Sequence, residues 1–74
     1  MTRLPAIKPK KLLGILKEHG FYKHHQVGSH LVLKSEKDET LRVTLPMHNR
    51  DLKKKTLLSI LKQAGLDRSV LDKN

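Results

Sequence analysis

The first apolar stretch of the chain has the period of an α-helix. Positions i, i+3, i+4 and i+7 lie on one helical face, and here they are Leu12, Ile15, Leu16 and His19. Pro9 suits the first turn, where a missing N–H costs nothing, and Gly20 is a natural left-handed stop. The pattern predicts a helix over residues 8–19.

The next stretch changes to the alternation that is typical of β-strands. We predict strands at residues 21–27, 30–34 and 40–45, separated by a turn at 28–29 and a polar turn at 36–39. One face of the second and third strands is apolar and consists of Leu31, Leu33, Leu41, Val43 and Leu45. Alternation places the intervening side chains on the opposite face, namely His30, Val32, Arg42 and Thr44.

A second helical pattern follows a loop at residues 47–52. We predict a helix over residues 53–64. Its buried stripe consists of Leu57, Ile60, Leu61 and Ala64. Gly65 is a second left-handed stop, and the tail at residues 67–74 either forms one short turn with Asp67 as its cap or frays.

The predicted order of elements is α-β-β-β-α, which is an α+β fold class. The three antiparallel strands share one apolar face, and each of the two helices has one apolar stripe. All of this apolar surface is buried when both helices pack on one face of the sheet. The other face is then left to water and ligand. We expect the 74 residues to form a single domain, with an N-terminal arm at about residues 1–7.

Composition narrows the class of partner. The chain has 16 Lys and Arg residues against 7 Asp and Glu residues, a net charge of +9. This charge favours an anionic partner, with nucleic acid ahead of a membrane surface. A chain of 74 residues is too short to build an enclosed cofactor pocket beside its core. Because it contains no Cys, it also has no thiolate metal ligand. We therefore expect no cofactor, no membrane span and a cytoplasmic protein.

The histidines are the candidate proton-transfer residues, and they are His19, His24, His25, His30 and His48. His19 ends a predicted helix, where a cation favours the helix dipole, so we assign it a structural role. Alternation places His24 and His25 on opposite faces of their strand, so they do not form a metal clip. No His pair has the spacing of a zinc site with Asp, Glu or Cys partners, and we expect no metal site.

His30 has the most useful surroundings of the five. It follows Gly28, which lets a ligand approach the backbone closely, and Ser29, which offers a hydroxyl and an N–H. An imidazole, with an ordinary pKa of about 6.5, moves protons at neutral pH. On an open basic face it would serve a ribose 2′-OH or a phosphate ester. A surface histidine without a catalytic role is the competing interpretation.

Five cationic side chains are candidates to neutralise phosphate charge, and they are Lys34, Arg42, Lys53, Lys54 and Lys55. The three consecutive lysines open the second helix, where cations oppose the dipole unless an anion binds at the same end. A solvated lysine face is the alternative. One Tyr and one Phe are too few for base stacking to dominate recognition.

Four stretches of the sequence resemble the HicA toxins, small mRNA interferases of type II toxin–antitoxin systems. They are LLGILKEHGF at residues 12–21, GSH at 28–30, VTLPMH at 43–48 and KTLLSILKQAGL at 55–66. The GSH triplet alone is a weak signal, whereas its combination with the last stretch is specific. The resemblance covers nearly the whole chain in the right order.

The resemblance implies an α-β-β-β-α fold like that of double-stranded-RNA-binding domains. It implies metal-independent and ribosome-independent cleavage of mRNA by a single essential histidine, which falls on His30. It also implies a cognate HicB-like antitoxin that covers the active surface. In the loop after the third strand, it places His48 at the RNA. The loop that follows is Asn49-Arg50-Asp51 where the family usually has a glycine-rich loop, and we predict that Arg50 also contacts the RNA.

Two other classes of function stay open from the sequence. One is a non-catalytic module that binds double-stranded RNA, which shares the architecture and the lysines at the start of the second helix. The other is an interaction protein whose basic face serves an acidic protein partner.

Overall fold

The computed structural model describes residues 6–71. The elements follow in the order α1 (Pro9–Glu18), β1 (Phe21–Val27), β2 (His30–Ser35), β3 (Arg42–Pro46), α2 (Lys54–Ala64) and a 3-10 helix (Arg68–Leu71). The strands form one antiparallel sheet in the order β1-β2-β3, with β2 in the centre. The predicted α+β class and element order are confirmed.

One face of the sheet packs against both helices and forms the core. The sheet contributes Leu31, Leu33, Val43 and Leu45. The helices contribute the predicted stripes, of which Leu12, Ile15, Leu16, Leu57, Ile60, Leu61 and Ala64 are all buried. Burial of these side chains is the main favourable term in folding. It also fixes which side of the sheet is left without a helical cover.

Glycine closes the second helix as predicted. Gly65 has φ +67°, and the Leu66 N–H donates to the Leu61 carbonyl at 2.9 Å, which is the hydrogen bond of a Schellman cap. The tail then forms the predicted short turn, in which the Asp67 carboxylate accepts from the Arg68 N–H at 2.8 Å. Residues 72–74 of the predicted tail lie outside the described residues.

The hydrophobic core includes Ile7, which we expected to belong to the N-terminal arm. Ile7 is 4% exposed, and its carbonyl accepts from the Leu52 N–H at 2.8 Å. Leu52, in the predicted loop, is itself buried. This contact ties the start of the chain to the loop before α2. Residues 1–5 of the expected arm lie outside the described residues.

The third strand begins two residues later than predicted, at Arg42. Thr40 is held in the preceding turn because the Asp38 carboxylate accepts from its N–H at 3.0 Å and from its hydroxyl at 2.6 Å. The Ser35 hydroxyl oxygen closes the start of the same turn by accepting backbone N–H groups of residues 37 and 38. Local side-chain hydrogen bonds of this kind compete with strand pairing.

The prediction that His24 and His25 lie on opposite faces is wrong. Lys23 pairs with Leu33 and His25 pairs with Val32, so His24 is an extra residue on β1. Such a β-bulge interrupts the alternation of side chains. The two imidazole rings lie together, with centroids 4.8 Å apart and planes at 73°.

The side of the sheet away from the helices is here called the outer face. Its side chains are those that share pairing rows with the outward residues of β2, namely Tyr22, His25, Val27, His30, Val32, Lys34, Arg42, Thr44 and Pro46. The bulge residue His24 is counted with them because its ring lies against that of His25. Val32 lies on this face as predicted, yet it is 6% exposed, because in the central strand it has His25 and Thr44 on either side. No helix within residues 6–71 is long and apolar enough to cross a membrane.

Candidate active site and nucleic-acid interface

A two-residue turn holds His30 at the start of the central strand. Gly28 has φ +59°, and a positive φ at the first turn residue, followed by Ser29 at negative φ, is the pattern of a type II′ hairpin turn. The Met47 N–H donates to the Ser29 carbonyl at 2.7 Å, which ties the turn to the end of β3. His30 pairs with Val27 on one side and Pro46 on the other.

The His30 side chain is exposed on the outer face. The sheet therefore lies between this imidazole and the core, and neither helix covers it. The alternation of the strand predicted this placement. An open imidazole whose backbone is paired on both sides is held by a rigid element while its ring stays accessible to a large substrate.

Lys34 and Arg42 are direct neighbours across β2 and β3 on the same face. Arg42 is exposed and Lys34 is half-buried. They lie about 13 Å from His30, since a strand rises about 3.3 Å per residue. The structure thus places a cationic pair on the face of His30, but at its far end.

The loop between β3 and α2 gathers a second set of predicted residues. The backbone N–H of Arg50 donates to His48 Nδ1 at 3.1 Å, so Nδ1 is the acceptor and Nε2 is left for another partner. An open groove of about 600 Å³ passes beside this loop. Its lining is Pro46, His48, Arg50, Asp51, Leu52, Lys53 and Thr56. Because Pro46 pairs with His30, the groove begins one strand away from the candidate catalytic residue.

The first turn of α2 is cationic and has no side-chain cap. Lys53 is the N-cap residue with no side-chain cap hydrogen bond, and the turn contains no acidic residue. Lys53, Lys54 and Lys55 are all exposed. Helical side chains tilt toward the N-terminal end, where the first N–H groups are free for an anion. This end of α2 therefore suits a phosphate group.

Sequence reasoning missed two lysines beside His48. A smaller groove of about 360 Å³ is lined by Lys10, Leu13, Lys23, Met47, His48 and Asn49. Lys10 comes from the first turn of α1, and Lys23 comes from the helical side of β1. No local signal brings these residues together, because their proximity depends on how α1 packs against the sheet.

The remaining histidines have distinct surroundings. His19 has the structural role that was predicted, since its Nδ1 donates to the Ile15 carbonyl in the last turn of α1 at 2.9 Å. Desolvation, followed by the positive charges of Lys34, His25 and Arg42, lowers the pKa of His24 below its ordinary value. Within residues 6–71, no three His, Cys, Asp or Glu side chains are grouped so that they could hold a metal ion.

Most of the chain matches a known protein family. A family model described as the HicA toxin of bacterial toxin–antitoxin systems matches residues 9–66, which is most of the chain. The chain belongs to the HicA toxin family. It is accordingly a toxin of a toxin–antitoxin system, and a cognate antitoxin is its partner. A search of curated proteins finds no match.

In this HicA toxin the family match spans every predicted site residue. The structure brings most of them to one end of the molecule. There the hairpin turn meets the end of β3, and the members are Gly28, Ser29, His30, His48, Arg50 and Lys53. Lys34 and Arg42 lie apart, at the other end of the outer face.

Proposed function

We propose that this HicA toxin is an mRNA interferase, a metal-independent endoribonuclease in which His30 is the catalytic histidine. One observation carries the proposal. His30 presents an open imidazole at the start of the central strand, on the face that the helices leave uncovered, in a chain with a net charge of +9. In this proposal the substrate is mRNA in the cytoplasm, and a HicB-like antitoxin inhibits the toxin by covering this surface.

The chemistry asked of His30 is proton transfer. RNA carries its own nucleophile, because the ribose 2′-OH lies next to the phosphodiester. A neutral imidazole within about 2.6–3.2 Å of that hydroxyl removes its proton as the oxygen attacks phosphorus. Proton transfer of this kind contributes about 10²–10⁴ in rate. The rest of the acceleration is assigned to positioning and to the positive charge around the phosphate.

The proposed RNA contacts lie on both sides of His30. Gly28 and Ser29 form a turn that a phosphate can approach closely. His48, Arg50 and the lysines at residues 53–55 receive the backbone along the larger groove, while Lys34 and Arg42 receive it on the outer face. These contacts are made to phosphates, so they hold the RNA without reading its bases.

The experiment is an RNA cleavage assay with the purified wild-type toxin in the presence of EDTA. Single-stranded mRNA and a matched duplex are incubated separately, and the products are resolved by length. Discrete fragments from mRNA support the proposal. Intact RNA over a wide range of toxin concentration, with RNA binding still measurable, contradicts it.

The alternative function is a non-catalytic module for double-stranded RNA. The observation that favours it is the cationic and uncapped first turn of α2, because such a turn binds backbone phosphate without any chemistry. Protection of the duplex without strand scission in the same assay supports this alternative. Failure to bind any RNA at low salt indicates instead that the basic surface serves an acidic protein.

A further inference from the structure

Cleavage of RNA requires two proton transfers, and this inference rests on the function proposed above. When the 2′-oxygen attacks phosphorus, the bond from phosphorus to the 5′-oxygen of the next nucleotide breaks. That oxygen leaves as an alkoxide unless it receives a proton. Because His30 takes the proton of the 2′-OH, a second group is needed to protonate the leaving oxygen in the same step.

The β-bulge on β1 places a second imidazole beside His30. Val27 pairs with His30, and His25 pairs with Val32, so His25 occupies the position diagonal to His30 on the outer face. Diagonal positions of an antiparallel pair are about 7–8 Å apart, within reach of aromatic and long side chains. Two imidazoles at diagonal positions are therefore close enough to contact one bound phosphate group.

The bulge is what puts His25 on this face. With strict alternation from Lys23, which lies on the helical side, His25 would lie on the helical side as well. The extra residue His24 shifts it to the outer face. Bulges are enriched next to active sites, where they re-aim a side chain. Both His25 and His30 are exposed, so neither ring is used in the core.

Of the two imidazoles at the bulge, His25 is the one suited to donate a proton. The titratable and charged groups on the outer face around it are Tyr22, His24, His30, Lys34 and Arg42. Desolvation and the charges of Lys34, His25 and Arg42 lower the pKa of His24, which disfavours the protonated form of that ring. His25 is paired with Val32 and stands diagonal to His30, whereas His24 is the unpaired residue of the bulge.

We propose that His25 is a second catalytic residue of this toxin, the general acid that acts across the scissile phosphate from His30. His30 takes the proton from the 2′-OH, and the 2′-oxygen forms its bond to phosphorus. The bond to the 5′-oxygen breaks, and His25 gives its proton to that oxygen. The products are a 2′,3′-cyclic phosphate and a 5′-OH, and no oxidant, reductant or cofactor is consumed.

The test compares three variants of the full chain in single-turnover cleavage of one RNA. His25→Ala and His25→Gln are expected to lower the rate by about 10²–10⁴. His24→Ala is the matched control, because it removes the neighbouring exposed ring from the same bulge and is expected to leave the rate close to wild type. Thermal unfolding confirms that each variant is folded.

Two further readouts distinguish an acid from a merely structural residue. The wild-type rate is expected to rise and then fall with pH, and His25→Ala is expected to lose the fall at high pH, because the protonated acid is no longer needed. An RNA with sulfur in place of the 5′-oxygen at the mapped cleavage site has a leaving group that needs no proton. This substrate is expected to restore cleavage by His25→Ala but not by His30→Ala.

The outcomes separate this inference from the proposed function. If the wild type cleaves RNA and His25→Ala cleaves equally fast, His25 is not the acid, although the ribonuclease proposal stands. A slow His25→Ala that the sulfur substrate does not restore also overturns the inference. If the wild type itself cleaves no RNA, the ribonuclease proposal fails and this inference fails with it.

Discussion

The salt dependence of RNA binding tests whether the first turn of α2 contacts phosphate. The change is the triple substitution of Lys53, Lys54 and Lys55 by Ala. All three side chains are exposed and project toward an uncapped helix end with no acidic neighbour in the turn. Each contact with single-stranded RNA contributes about 0.7 to the slope of log K against log salt.

Three lost contacts therefore lower the slope by about 2. If the part of the binding free energy that does not depend on salt is unchanged, affinity falls about 100-fold at 0.1 M salt and very little near 1 M salt. The measurement is fluorescence anisotropy with labelled single-stranded RNA at four or more salt concentrations. It is made in the His30→Ala background so that the RNA stays intact.

A matched control separates contact from net charge. Substitution of Lys11, Lys17 and Lys62 by Ala removes the same charge from exposed positions on the two helices. None of these three lysines lines the larger groove. The control triple is expected to change the slope by less than the triple at residues 53–55. Equal changes in the two slopes would refute a local phosphate site and leave only a diffuse positive field.

Three further predictions concern the fold. Gly14→Ala is expected to stabilise the protein by about 1 kcal/mol in urea unfolding, because the added Cβ meets open space in a helix. Gly20→Ala is expected to destabilise it by about 1–2 kcal/mol, because Gly20 has φ +87°. Changes of the same sign in the two free energies of unfolding would contradict this. Leu33→Ala is expected to cost about 2–5 kcal/mol, and an unchanged urea midpoint would count against it. Hydrogen bonds from the Thr40 hydroxyl and N–H lower the pKa of Asp38. An NMR titration is therefore expected to show a higher Asp38 pKa in Thr40→Val than in the wild type. An unchanged Asp38 pKa would contradict this cause of the shift.

The lowered pKa of Asp38 makes the stability of the protein depend on pH. The folded-state pKa of Asp38 is lowered, so the turn gains stability from this carboxylate above the unfolded pKa. That contribution is lost as pH falls through the folded pKa. The Thr40→Val protein is therefore expected to lose less stability on acidification than the wild type.

The sequence was sufficient for the features that depend on local periodicity. The stripe from Leu57 to Ala64 and the stop at Gly65 are confirmed because helical period and left-handed glycine are properties of neighbouring residues. The exposure of His30 follows from strand alternation in the same way. The start of β3 was predicted two residues too early, although Asp38 and Thr40 are residue types that close turns with their side chains.

Features that depend on pairing between distant segments could not be predicted. The bulge at His24 exists only relative to β2, and nothing in residues 21–27 alone marks an extra residue. Ile7 is buried in the same core as Leu52 and is hydrogen-bonded to it, and Leu52 is far away in sequence. Lys10 and Lys23 reach the neighbourhood of His48 only through tertiary packing.

The most direct test of the central claim is the rate of RNA cleavage by His30→Ala when all RNA is bound. Toxin is held in excess at a concentration that saturates the RNA for both proteins, so that a weaker affinity cannot imitate slower chemistry. The account predicts a rate lower by at least about 100-fold with a nearly unchanged dissociation constant. A His30→Ala toxin that cleaves bound RNA as fast as the wild type would contradict it.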